Sequence, residues 1–311
     1  MAVLALDLGG TKLAVAVFSE SGEMLMHESG PLAYRKSTEV GELIRTQVLK
    51  YCSKTEIESI GVSVPGISRH RTGTVWAPNI EGWEDYPLLQ EVKGIAGDIP
   101  VNIDSDRACC IMGERWQGNA GGCDDAIFIV VGTGIGAGII SGGQLIRGHG
   151  DIAGAIGWMA LPKPYESKYA PCGCFEFYAS GAGIARFAQE VLAAERMESH
   201  LRKQSSITAQ HVFEAYDIDD PIAKIVIKEC IGCWGMASAN LVSIFNPEKV
   251  IFGGGVFGPA AKHITAIKEE AEKWAQPVSI KQVTFEHSKL GPDAALFGAG
   301  YLALKNCNIH S

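Results

Sequence analysis

The sequence lacks any long apolar run. Nowhere do eighteen apolar residues stand together, as a membrane-spanning helix needs, so no membrane span is expected. No targeting segment is read either: Met1 to Leu6 is apolar but too short for a signal peptide, and Asp7 ends it. Basic runs are missing. The 27 lysines and arginines are scattered among 35 acidic residues, for a net charge of −8, which argues against a nucleic-acid surface. Nine cysteines are odd in number and irregularly spaced, which excludes a secreted disulfide framework and implies reduced thiols in a cytoplasmic protein.

What the chain does have is glycine, 37 in 311 residues, and it clusters. Ala2 to Leu6 reads as a strand, followed by Asp7-Leu8-Gly9-Gly10-Thr11-Lys12, a second strand over Leu13 to Phe18 and a Ser-Gly turn at Ser21-Gly22. After Gly118 to Gly122, small and polar enough for a domain boundary, the plan returns. Ala126 to Val131 is a strand, Gly132-Thr133-Gly134-Ile135-Gly136 a glycine turn, and Gly138 to Ile140 a strand closed by Ser141-Gly142-Gly143. Two halves on one plan predict a duplicated α/β core, with a small domain over 1–117 and a larger one over 118–293.

Between the repeats, Ile60 to Val64 is a buried strand ended by Pro65-Gly66, and Ser37 to Tyr51 a polar helix. A strand over Ile99 to Ile103 delivers Asp104-Ser105-Asp106, and Cys109 to Trp116 reads as helical. In the second half, helices are expected over Glu176 to Glu190, with Leu192 to Arg202 as a second or its continuation, and over Pro259 to Ala275. Asp220-Pro221 is a capped start for a helix that Asn246-Pro247 stops. Lys249 to Phe252 is a strand feeding Gly253-Gly254-Gly255.

A phosphate needs backbone N–H donors that it can approach closely, which glycine permits, and a threonine hydroxyl adds one more. Gly9-Gly10-Thr11-Lys12 and Gly132-Thr133-Gly134 both meet that need, each directly after a strand. One such turn alone reads as a tight hairpin; two in equivalent places, with Gly253 to Gly255 after a third strand, point to a nucleotide. No stretch supplies the Walker spacing. Gly132, Gly134 and Ala137 match a dinucleotide fingerprint, but a β-like run follows where that fingerprint must open a helix, so a nicotinamide enzyme is the lesser alternative. Asp104 and Asp106 sit just past a strand, where an open α/β sheet places ligands. From the residues alone, Asp106 is either a base or a helix cap, the two standing about equal. Asp104 reads as solvated or ligand-facing, Trp158 as core and Lys12 and His149 as exposed.

With these motifs in view, the chain resembles the ROK family of sugar kinases and sugar-responsive repressors, in the correct order over nearly its whole length. Asp7 to Lys12 resembles the family's first phosphate loop, Gly132 to Gly136 the second, and Gly253-Gly254-Gly255-Val256 the turn near the adenosine. Pro78-Asn79 with Gly82-Trp83 resembles a segment bordering the sugar, and Gly173-Cys174-Phe175-Glu176 the block whose glutamate contacts it. Pro100 to Glu114 matches without gaps the segment holding the catalytic aspartate, which falls on Asp106.

The resemblance implies a two-domain actin-like ATPase (ribonuclease H-like) α/β fold with an interdomain cleft, the C-terminal helix of about 294–311 packing back on the first domain. It implies an ATP-dependent sugar kinase, a phosphotransferase to an alcohol group, in which Asp106 takes the proton of the attacking hydroxyl. Asp7, Gly9, Gly10, Thr11, Lys12, Gly132, Thr133, Gly134, Gly254 and Gly255 would hold ATP, and Mg2+ would sit near Asp7 through water. Gly66, Asn79, Ser105, Asp106, Ala155, Trp158 and Glu176 would face the sugar. A homodimer is implied, and a DNA-reading segment before Asp7 is not.

Three positions depart from the family pattern. Ser105 stands for a sugar-binding asparagine, Ala155 for a glutamate and Trp158 for a histidine that binds zinc in many members. Only Cys172 and Cys174 stand near that place, so no family-type zinc site is expected. A more apolar sugar site follows, suited to a substituted sugar or another polyol, and a weakly active or non-catalytic sugar-binding protein is the alternative.

Overall fold

The computed structural model describes residues 2–307. In chain order the first elements are β1 (Ala2–Leu8), β2 (Lys12–Ser19), β3 (Met24–Pro31), α1 (Thr38–Cys52), β4 (Ser59–Val64), β5 (Ile67–Arg69), β6 (Thr74–Trp76), α2 (Leu88–Ala96), β7 (Val101–Ser105) and α3 (Asp106–Gln117). Then come β8 (Ala126–Val131), β9 (Ile135–Ser141), β10 (Gln144–Leu145), α4 (Cys174–Ala179), α5 (Gly181–Ala194), α6 (Ala209–Asp217) and α7 (Pro221–Phe245). The chain closes with β11 (Lys249–Gly253), α8 (Phe257–Ala260), α9 (Ile264–Glu272), α10 (Ser279–Gln282), β12 (Thr284–His287) and α11 (Ala294–Cys307).

Two compact units result: Met1–Gly122 with Leu145–Ala153 and Asp293–Ser311, and Cys123–Gln144 with Gly154–Pro292. Leu145–Ala153 therefore belongs with the first unit, although it lies inside the stretch 118–293. The helix read over 294–311 is α11, and its residues 308–311 lie outside the described ones.

Each unit is built on a five-stranded sheet, ordered β3-β2-β1-β4-β7 in the first and β10-β9-β8-β11-β12 in the second. Counting only the strands of each five-stranded sheet, and setting aside the separate β5-β6 pair, the order is the same, so the repeat read in the sequence is a repeat of topology. β1 pairs antiparallel with β2 and parallel with β4, and β8 does the same with β9 and β11. Parallel strands need both faces covered, which explains the unbroken burial of Ser59–Val64 in β4. β3 is an edge strand and its polar residues, His27 and Glu28 among them, are exposed, which discourages pairing with another chain.

The core of the first unit packs Leu4, Leu6, Val15, Ile44, Val62 and Trp83 on one face of its sheet. On the other face α11 lies against α3 and the strands with almost no gap. A methyl placed on Gly61 would stand 1.9 Å from the Ala299 carbonyl, and one on Gly298 would stand 1.8 Å from that of Cys109. The second unit's core is centred on α7. Asp220 caps that helix through the N–H groups of Ile222 and Ala223, Pro221 follows, and Asn246 ends it in the left-handed conformation. With 25 residues α7 is long and apolar enough to cross a membrane, but Val226, Cys230, Trp234 and Leu241 are buried in the unit.

Three helix expectations are corrected. Glu176 to Glu190 is two helices, because Ser180 leaves helical geometry and its hydroxyl caps α5 through Gly183 N–H at 3.0 Å. Leu192 to Arg202 is not helical beyond Ala194, except for a 3-10 turn starting at His200. Pro259 to Ala275 is broken by a 3-10 turn over Ala261–His263 between α8 and α9.

Candidate active site

In the first unit the carboxyl ends of three parallel strands meet on one edge. Asp7 pairs with Ser63, and Ser63 with Asp104, across β1, β4 and β7. Three turns leave that edge. After β1, Gly9 N–H donates to the Lys12 carbonyl at 2.9 Å, leaving the Gly10 and Thr11 N–H groups without a backbone partner among the described residues. After β4, Gly66 takes φ +90 and a methyl there would stand 2.2 Å from the Trp76 carbonyl, so only glycine fits. After β7 the chain passes directly into α3 through Ser105 and Asp106.

The cap of α3 is Ser105, not Asp106. The Ser105 hydroxyl is buried and accepts from Ala108 N–H at 3.4 Å. Asp106 is the first helical residue, and one of its oxygens accepts from Arg107 N–H at 2.7 Å. Burial raises the Asp106 carboxyl above the usual range, while the adjacent Arg107 charge and N–H hold it down. Asp7 is pushed up to about 6, first by burial. The nearby Ser63 hydroxyl, which makes no full hydrogen bond, offsets part of this, and Asp106 adds like charge.

Asn79 is exposed beside this edge; a methyl on Gly10 would lie 3.9 Å from its Cβ and Nδ2. Trp83, from the same segment, is buried instead. It stacks on Tyr86 at 4.4 Å and donates through Nε1 to the Ser37 carbonyl, which fixes the segment. Lys12 and Thr11 are exposed.

In the second unit the turn after β8 occupies the equivalent place and is tighter: Gly132 N–H donates to the Gly134 carbonyl at 2.9 Å, two residues on, and Thr133 is exposed. The turn after β11 lies against it. Gly254 takes φ +88, and a methyl there would stand 2.5 Å from the Val131 carbonyl, while Gly255 is exposed and open. Glu176, in the first turn of α4, accepts from Ile135 N–H at 2.7 Å. Burial raises its carboxyl and that N–H opposes the rise. Methyls on Gly134 and Gly157 would stand 2.7 and 2.9 Å from the same carboxylate, so both glycines exist to let it in. Ala155 is half-buried just before a 3-10 turn over Ile156–Trp158. The Trp158 side chain is 58% exposed, which corrects its reading as core.

The ROK family profile matches residues 3–306. The chain belongs to the ROK family. It is 33% identical to a glucokinase of Halalkalibacterium halodurans over 97% of this chain and 94% of that one. It is 28% identical to a beta-glucoside kinase of Listeria innocua over the full length of both. The solved structure of a ROK family glucokinase from Streptomyces griseus, in complex with glucose and AMPPNP, superposes with a TM-score of 0.81 at 29% identity, over 98% of this chain and 100% of that one. The fold is therefore the actin-like ATPase fold of the ROK kinases.

Beside the ROK motif residues, the structure brings together a charged group that the sequence reading did not assemble. Asp104, read as solvated or ligand-facing, is buried and paired with Arg147, whose Nη2 lies 2.7 Å from its Oδ2. His70 stands 3.6 Å from the same oxygen and bonds Asp151 through Nδ1 at 3.1 Å. Arg107 donates to the carbonyls of Ala153 and Asp151. Burial alone would raise Asp104, but His70 and Arg147 together bring it below the usual range. These residues lie up to 81 positions apart, so only their charge, in an otherwise glycine-rich loop, could have flagged them. Among the described residues no cluster of three or more His, Cys, Asp or Glu side chains could hold a metal ion.

Proposed function

We propose that the chain transfers the terminal phosphoryl group of ATP to a hydroxyl of a hexose or related sugar, with Asp106 as general base. The observation that carries this is the carboxyl edge of the first unit's sheet. A base with a raised pKa opens α3, and on the same edge the turn after β1 offers two N–H groups without a backbone partner among the described residues. The relatives named glucokinase and beta-glucoside kinase support the substrate class.

Phosphoryl transfer asks little covalent chemistry of a protein; most of the rate comes from alignment and charge stabilisation. Donors on Gly10, Thr11, Thr133 and Gly134 would hold phosphate oxygens, with Lys12 adding charge and Gly9, Gly132, Gly254 and Gly255 keeping side chains away. Gly66, Asn79, Ser105, Ala155, Trp158 and Glu176 would border the sugar, Glu176 accepting from a hydroxyl. Asp106, once ionised, orients the attacking hydroxyl and takes its proton as the O–P bond forms.

Asp7 fits a role beside Mg2+. It is a partly buried carboxylate with Asp106 and Asp293 as like-charged neighbours, and a cation there relieves the repulsion. One carboxylate with phosphates and waters is the usual environment of Mg2+, which seldom uses an all-protein cage. The ion would neutralise charge developing on the phosphates. The same reading includes a cytoplasmic homodimer.

A coupled ADP-release assay across hexoses, amino sugars and N-acyl sugars tests the proposal, with Asp106→Asn as control. ADP release dependent on one sugar and lost in the variant supports it; equal turnover by both proteins removes Asp106 from the chemistry. Ser105 spent as a cap and Ala155 in place of a carboxylate favour a second reading, a sugar binder without turnover. Sugar binding with no ADP release would establish it.

A further inference from the structure

The second unit contains a cavity of about 370 Å³ that the transfer reaction does not use. Its wall includes Trp158, Leu161, Lys163, Tyr165, Tyr169 and Gly173. The Lys163 ammonium and the Tyr169 hydroxyl there already have partners. The Lys163 ammonium pairs with Glu229 at 2.7 Å and sits over the Tyr178 ring at 4.5 Å. The Tyr169 hydroxyl bonds Glu166 and Tyr178, each at 2.9 Å. No unpaired charge remains on the wall for a phosphate or carboxylate. What remains are ring faces, with Trp158 58% and Tyr165 78% exposed.

The cavity adjoins the sugar-facing glutamate within the same unit. Gly157 lies against the Glu176 carboxylate, and its neighbour Trp158 lines the cavity. Gly173, three residues before Glu176, lines it too and packs so tightly on Gly157 and Trp158 that a methyl would stand 2.4 Å from the Gly157 carbonyl. Gly157 thus touches the Glu176 carboxylate on one side and, through Gly173 and Trp158, the cavity wall on the other.

We propose that the cavity receives a substituent carried by the sugar, one presenting a flat apolar face, so that the chain prefers glycosides over free hexoses. This rests on the reading of Glu176 as a sugar ligand. Aromatic walls recognise such a face by offset stacking and by removing it from water, and a pocket of this volume has room for a ring.

The test is equilibrium binding to the full chain without nucleotide, by titration calorimetry. Glucose, mannose and N-acetylglucosamine are each used as free sugar, methyl glycoside and phenyl glycoside, in both anomers, and cellobiose is included. At least one phenyl glycoside is expected to bind about 10-fold more tightly than its methyl counterpart. Tyr165→Ala should reduce that preference to about 2-fold or less, and Tyr165→Phe should retain it. A preference for cellobiose over glucose, with the same response to the variants, identifies the apolar face as a second sugar ring instead of an aryl group.

Equal binding of every methyl and phenyl pair together with no cellobiose preference, a preference that survives Tyr165→Ala, or one lost in Tyr165→Phe would each overturn the proposal. Because binding is read apart from turnover, the two readings fail separately. A phenyl preference without ADP release from any sugar keeps the cavity and removes the kinase. ADP release from free sugars without any preference does the reverse.

Discussion

Arg147 directs both Nε and Nη2 at a single oxygen of Asp104, at 3.1 and 2.7 Å. The carboxylate is only 4% exposed, so removing its partner strands a buried charge. Arg147→Met is expected to cost roughly 2 kcal/mol, less than a fully buried pair would, because Arg147 is 35% exposed and His70 remains. His70, which faces Asp104, Asp151 and Arg147, has a raised pKa, first through its bond to Asp104. Its stabilisation is fully present below the unfolded value near 6.5 and lost as pH rises through the folded one. The deficit of Arg147→Met should therefore be smaller at about pH 5.5 than at about pH 8, as read by urea unfolding.

Asp7→Asn should trade function for stability. With a folded pKa of about 6 against 3.8 unfolded, wild-type Asp7 makes the protein less stable as pH rises from about 4 to about 6. The asparagine variant lacks that loss. Its melting temperature should exceed that of wild type above about pH 6 and converge on it near pH 4, while ADP release falls at every pH.

Asp106→Asn should lower kcat by about 10²–10⁴ with little change in sugar affinity, since the amide can still hydrogen-bond the hydroxyl but cannot take its proton. The acid limb of kcat/KM in wild type should lie above the ordinary carboxylate range, because burial raises this group. Arg107→Gln removes the charge that holds it down and should shift the limb further toward alkaline pH.

Gly298→Ala separates packing from propensity. Alanine in a helix gains about 1 kcal/mol over glycine. Here its methyl would stand 1.8 Å from the Cys109 carbonyl, and backbone cannot yield as a flexible side chain does. The clash is expected to win by about 2 kcal/mol or more, measured by denaturant unfolding.

The duplicated sheet was legible because its signal is local: apolar strands, glycine turns and Ser-Gly closures lie within about twenty residues of one another. The long helix α7 was legible at both ends for the same reason, through Asp220-Pro221 and Asn246-Pro247. The break at Ser180 was missed because Phe177, Tyr178 and Ile184 are buried on both sides of it and keep the apolar spacing running. Ser105 and Asp106 were both in view, but which of two adjacent polar residues caps a helix depends on where the strand ends. The burial of Asp104 was not legible because its partners, His70 and Arg147, arrive from distant turns.

The first sheet's rear face is closed by α11, a segment drawn from the opposite end of the chain. During synthesis the N-terminal half therefore leaves the ribosome with Val3, Ala5 and Phe18 uncovered, and they stay so until nearly three hundred residues have been made. That half's core is therefore incomplete until α11 docks, and until then its open apolar face is exposed to association.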